Sequence, residues 1–189
     1  MSTYLFNFEH LKTMKKYIAL SGSLRNGSFN TNLLKAAIEL APEGTTIELF
    51  DISTLPMFNQ DLEAAFPQGA QALKDAIEGA DGVIFATPEY NRSIPSVLKN
   101  AIDWASRPWG KNSFAKKPVL ILGASVGQIG TAVAQNHLKV IMNYLDTRVV
   151  GQPEFYMGTA QDKFDASGKL IDESSREHLK KALETLVNI

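Results

Sequence analysis

The stretch that decides the fold is Ile18–Leu40, "IALSGSLRNGSFNTNLLKAAIEL". An apolar run stops at Ser21 and gives way to small polar residues. From Asn30 the apolar positions Leu33, Leu34, Ala37, Ile38 and Leu40 recur at helical spacing. A buried strand, a glycine–serine loop with one arginine, and a helix in direct succession form the opening of a βαβ unit.

Outward from that unit the pattern repeats. Tyr17–Ser21 reads as the first strand, "TTIELF" (Thr45–Phe50) as the second, and "DGVIFA" (Asp81–Ala86) as the third. "PVLILG" (Pro118–Gly123) is the fourth, and Arg148–Val150 begins a shorter fifth. Helices are expected over Asn30–Leu40, Gln68–Glu78, Ser96–Ser106, Thr131–Leu145 and Glu173–Val187, with 51–66 a long connection and 158–170 a loop. Near-continuous apolar strands alternating with helices specify a doubly wound parallel α/β domain. No linker or repeat divides 15–189, which is expected to be a single domain. Residues 1–14 lack the basic start and apolar centre of a signal peptide. They read as a loosely ordered extension, with Met14 a possible alternative start.

Composition narrows the chemistry. Lysine plus arginine is 19 and aspartate plus glutamate 20, a net charge of −1. That balance argues against a nucleic-acid binder and against a strongly acidic electron shuttle. With no cysteine and three scattered histidines, thiol nucleophiles, iron–sulfur clusters and zinc-thiolate sites are excluded. A histidine-based triad has little support. Hydrophobic residues make up 44% with no membrane-length run, so the chain reads as a cytoplasmic globular protein.

In such a sheet, ligands bind beyond the carboxyl ends of the strands, where strand order reverses. The loops after strands one, three and four converge there. In the first, "GSLRNGSFN", hydroxyls, two glycines and a helix N-terminus offer donors to a phosphate. An ordinary strand–helix turn with a serine cap explains the same residues. Ser28 stands where a triphosphate-binding loop requires lysine, and Leu24 stands at the second glycine of a dinucleotide fingerprint. What remains is a cradle for a terminal phosphate monoester. The second loop, "TPEYNRSIP", carries an aromatic and amides. The third, "GASVGQIG", bares backbone N–H groups. Together they suit a flat, polar, monophosphorylated ring system.

These three loops resemble those of the NADPH-dependent FMN reductase family, in its chromate and quinone reductase branch, with azo and nitro reductases nearby. The resemblance runs from about Lys16 to Gly158. It implies a flavodoxin-like, doubly wound five-stranded parallel sheet in the order 2-1-3-4-5 with helices on both faces, non-covalent FMN, and dimers or tetramers. It implies that Ser21, Ser23, Arg25, Ser28, Phe29 and Asn30 surround the FMN phosphate. Pro88, Glu89, Tyr90, Asn91 and Ser93 would border the isoalloxazine, and Ala124, Ser125 and Gly127 its pyrimidine edge. No residue is assigned a catalytic role and no metal is expected, because FMN carries the chemistry.

The expected activity is an NAD(P)H:acceptor oxidoreductase: hydride passes from NADPH or NADH to FMN N5, then electrons pass to a quinone, chromate, azo or flavin-type small molecule in a ping-pong cycle. Amides of Ala124–Gly127 are expected to face negative charge near flavin N1. The Glu89 carboxylate is expected to be engaged away from the flavin. Trp104 and Trp109 read equally as pocket, interface or packing residues. An FMN electron carrier without its own NAD(P)H turnover is the alternative, and a phosphate-ligand sensor a third reading. No membrane or nucleic-acid partner is expected.

Overall fold

The computed structural model describes residues 14–189, so all but the last residue of the expected N-terminal extension lies outside the described residues. Strands β1 (Lys15–Ser21), β2 (Thr45–Phe50), β3 (Gly82–Ala86) and β4 (Pro118–Ala124) form a parallel sheet, with β1 between β2 and β3, and β3 between β1 and β4. The order β2-β1-β3-β4-β5 is that of a flavodoxin-like fold.

The fifth position differs from the expected single strand. It holds two short pieces, β5 (Arg148–Val149) and β6 (Phe155–Met157), both parallel to β4. Val150 N still donates to Val119 O, but Pro153 has no N–H to continue the ladder. The chain leaves the sheet over residues 151–154 and returns at Phe155.

Every residue of β3 and β4 is buried. Their apolar runs follow from cover on both faces. On one face Tyr17, Ala19, Ile84, Leu120 and Leu122 pack with α1 (Phe29–Glu39) and α5 (Glu173–Val187). On the other, Ile18, Leu20, Val83, Phe85 and Ile121 pack with α2 (Gln68–Glu78), α3 (Ser96–Ala105) and α4 (Ala132–Tyr144). Successive strand residues thus serve opposite cores. Gly82 is required where it stands, since a Cβ there would lie 2.8 Å from the Tyr17 ring.

The connection after β2 is less open than its sequence implies. It contains a 3₁₀ turn, Gln60–Ala65, and wraps the fully buried Trp104. Pro56 O accepts from Trp104 Nε1 at 2.7 Å, and Phe58 and Phe66 meet the indole edge-on. Trp104 is therefore a packing residue, which sets aside its pocket and interface readings. Trp109 is 79% exposed.

Candidate active site

All three loops meet at the carboxyl edge of the sheet, and glycines set how closely they approach. A Cβ on Gly22 would lie 3.0 Å from Pro88 and 3.1 Å from Pro95. Gly22 is therefore glycine because the first loop presses on the second. Gly27, at φ +66°, serves the turn itself.

In the first loop Ser28 caps α1, its Oγ accepting from Thr31 N at 3.4 Å. Ser21 and Thr31 hydroxyls pair at 2.8 Å, and the Ser23 hydroxyl accepts from Arg25 N. Within the described residues no hydrogen bond engages the N–H of Leu24, Asn26, Gly27, Phe29 or Asn30. Donors of the loop and of the first helical turn are thus available, as a phosphate requires. The Arg25 guanidinium donates to Asn26 O and Gly27 O and lies over the Phe29 ring. Phe29 in turn stacks on Phe164, beneath the loop.

The Asn30 side chain is taken up away from the phosphate contact that resemblance implies, while its backbone N–H stays unengaged. It is buried, and its amide donates to Ala124 O at 3.0 Å and accepts from Ala124 N at 2.9 Å. This double bond across 94 residues ties α1 to the end of β4, and so the first loop to the third. Asn30 positions the site from below.

The second loop turns tightly: Tyr90 and Ser93 exchange both backbone hydrogen bonds, and Asn91 and Arg92 take positive φ between them. Tyr90 is half exposed at the rim. Ser93 Oγ meets His137 Nδ1 at 3.1 Å, joining this turn to α4. The Glu89 carboxylate accepts from Val133 N and Ala134 N, both at 3.1 Å, and from Arg92 at 2.8 Å. Burial alone would raise its pKa. The hydrogen bonds from Ala134, Arg92 and Val133 outweigh that and hold it below the usual carboxylate range. A carboxylate so held is no proton donor at neutral pH.

In the third loop the available donors lie further along than expected. Ala124 N donates to Asn30 and Ser125 N to Met157 O, while Gly127 N donates to Ser125 Oγ. No hydrogen bond within the described residues engages the N–H of Val126, Gln128, Ile129 or Gly130. Thr131 packs so tightly over β4 that a Cβ on Gly123 would lie 1.8 Å from its hydroxyl. A Cβ on Gly158 would lie 2.5 Å from Gln128 O and one on Gly130 2.7 Å from the Tyr156 backbone, so β6 and the residue after it support the loop from behind.

Between the second and third loops lies a cavity of about 320 Å³, lined by Glu89, Asn91, Arg92, Ser125 and Gly127–Thr131. Gln128, Ile129 and Gly130 were not singled out among the candidate residues. The hint in the sequence is the pair Gly127 and Gly130, which flanks Gln128 and Ile129. The first loop borders a separate cavity of about 390 Å³ with Arg25, Gly27, Ser28 and Lys35. Among the described residues no cluster of three metal-ligating side chains occurs, and no helix is long and apolar enough to cross a membrane.

Comparison with known proteins gives the same direction. Residues 15–162 match the family described as NADPH-dependent FMN reductase. A 2-hydroxy-1,4-benzoquinone reductase from a Burkholderia species is 47% identical over 164 residues, covering 87% of this chain and 90% of that one. An NAD(P)H-dependent FMN reductase of Pseudomonas aeruginosa is 48% identical over 172 residues, covering 90% and 92%. Among solved structures, a flavoenzyme NAD(P)H:(acceptor) oxidoreductase from Paracoccus denitrificans superposes with a TM-score of 0.86 at 40% identity. That match covers 92% of this chain and 96% of the other.

Proposed function

Because the chain belongs to the NADPH-dependent FMN reductase family, and is thus an oxidoreductase working with FMN and NAD(P)H, we propose that it reduces quinones and similar small acceptors at a flavin held between its three loops. The observation that carries this reading is the convergence, on one sheet edge, of a donor-rich helix start and a cleft walled by backbone amides. The first fits a phosphate monoester; the second fits a flat heterocycle.

FMN held here would supply the redox chemistry, two-electron transfer from the nicotinamide to the acceptor. The chain supplies place and environment. Amides of Leu24, Asn26 and Gly27, the hydroxyl of Ser23 and the first turn of α1 receive the phosphate, with Arg25 turning from its own loop carbonyls to pair with it. The unengaged amides of Val126, Gln128, Ile129 and Gly130 would serve the polar edge of the ring, where reduction deposits charge. Tyr90 offers an exposed aromatic edge to a planar acceptor. No side chain has to act as general base for the hydride step. The same open ring face would serve chromate, azo and flavin acceptors.

A second copy of the chain is the proposed macromolecular partner, and the cytoplasm its proposed compartment. Val140 and Tyr144 on α4 are 70% and 73% exposed, and Tyr144 and Trp109 line one cavity of about 520 Å³. The wrap of the connection over Trp104 and Asn100 leaves α4 and Trp109 as the better surface.

The test is a visible spectrum of the purified protein, followed by anaerobic NADPH and then a quinone. A flavin band that bleaches with NADPH and returns with quinone is expected. A flavin that stays oxidised in NADPH would point to an electron carrier, and a colourless protein that refuses added FMN would overturn the reading.

A further inference from the structure

Helix α4 begins without a cap of its own. Thr131 precedes it in the left-handed region at φ 71° and makes no capping hydrogen bond. The cap comes from 44 residues earlier, where Glu89 reaches across from the second loop to Val133 N. Its side chain is only 11% exposed and forms part of the cavity wall.

We propose that Glu89 sets the reduction potential of the bound flavin, by holding a fixed negative charge on a wall that α4 would otherwise make positive. This rests on the placement of the flavin ring in the cavity between the second and third loops. A helix N-terminus carries roughly half a positive charge, and the unengaged amides of Val126, Gln128, Ile129 and Gly130 add partial positive charge to the same loop. Such a wall favours the reduced cofactor, whose ring bears more negative charge than the oxidised one. Unopposed, it would make the flavin easy to load and slow to discharge.

Glu89 opposes that bias. Arg92 offsets the carboxylate incompletely, because its side chain is 66% exposed and its charge is screened by water. The charge is also constant: three donors hold the carboxylate ionised across the neutral range. A capping residue of purely structural purpose could be a serine or asparagine, which cap helices as well. The full charge, buried beside the cavity, is what the electrostatic role requires.

The experiment measures the midpoint potential and FMN affinity of the holoprotein, by dye equilibration and fluorescence titration, for wild type, Glu89→Gln and Arg92→Gln. The amide retains an acceptor for α4 while removing the charge. Glu89→Gln is expected to shift the oxidised–reduced equilibrium about tenfold toward the reduced form, about 30 mV for two electrons. Arg92→Gln should shift it the other way by about threefold. An unchanged or lowered potential in Glu89→Gln, including weaker FMN binding with no change in potential, overturns the proposal. If Glu89→Gln does not fold, Arg92→Gln decides alone: a lowered potential supports it and an unchanged one refutes it.

Gly127→Val separates this inference from the site placement. Its Cβ meets only Ser125 Oγ at 3.6 Å, so the loop accepts it while bulk enters the cavity. FMN affinity equal to wild type would refute the placement, and the inference with it. Weakened FMN, beside a potential unmoved by Glu89→Gln, would refute this inference alone.

Discussion

Helices α1 and α4 both start at the edge of the sheet where the loops converge, and their first turns are finished in opposite ways. At α1 the cap is local and neutral: the Ser28 hydroxyl takes one amide, and the amides of Phe29 and Asn30 stay unengaged. At α4 the cap is distant and charged: Glu89 takes two amides at once. Both helices carry the same partial positive charge at this end. One is left able to attract an anion and the other is quenched. Two helix starts on one edge can thus be assigned different work by the choice of hydroxyl or carboxylate, which is why the proposed phosphate site lies at α1.

The most severe way to break this contrast is to make α1 resemble α4. Ser28→Asp keeps a good helix cap but sets a carboxylate at the proposed phosphate position. Like charges brought together at a recognition surface cost several kcal/mol. FMN affinity should fall by at least about a hundredfold in fluorescence titration, while the apoprotein unfolds in urea at or near the wild-type midpoint. Affinity within threefold of wild type would sink the assignment of phosphate to α1.

The next largest effect is on α4. Gly123→Ala places a Cβ 1.8 Å from Thr131 Oγ1 and 2.8 Å from Thr87 O. Overpacking a buried site costs about 1–3 kcal/mol and at times more, and denaturant unfolding should show the upper end of that range.

Arg25→Gln tests the open helix more gently. Arg25 bonds only carbonyls of its own loop, so stability should not change measurably. A charge-assisted bond to phosphate is worth about 1.5–3 kcal/mol. FMN affinity should drop at least about tenfold, and the remaining affinity should depend less on salt. An unchanged affinity would show that Arg25 stays folded on its own loop.

The smallest effect at neutral pH belongs to the opposite end of the sheet and serves as a control. Burial pushes the Tyr17 phenol up to about 12, with Asp81 adding to the rise and Arg148 opposing it. Between pH 10 and 12 the unfolded chain loses this proton and the folded one keeps it. Stability from this group is therefore intact below pH 10 and declines as pH rises through that window. Tyr17→Phe should flatten that decline in urea midpoints, with FMN binding at neutral pH unaffected. A decline as steep as that of wild type would refute the assignment.

How much of this was legible beforehand depends on how far each feature reaches along the chain. The strands of "IAL", "VIFA" and "VLILG" announce themselves because burial on both faces demands unbroken apolar runs. The start of α1 is legible too, since Ser28 caps the amide three residues on. What could not be read are contacts between distant segments. Asn30 looks like one more polar loop residue until β4 brings Ala124 to its amide. Glu89 reads as a carboxylate engaged away from the flavin, but its partners, the first amides of α4, become visible only once that helix is in place. The break at the fifth strand has a local sign in Gly151 and Pro153, but only the pairing of Phe155–Met157 with β4 shows that the strand resumes.

That break has a bearing on how the protein survives at high concentration. The outer strand of a sheet presents unpaired backbone groups that invite another chain to add on, and long flat edges are where aggregation begins. Here the β4 side of the sheet ends in a strand two residues long, a detour around a proline, and a strand of three. Neither piece is long enough to template a neighbour. Closing the detour, by deleting residues 152–154 so that Phe155–Met157 keep their register on β4, would make one continuous edge and should raise the tendency of copies to add on to one another.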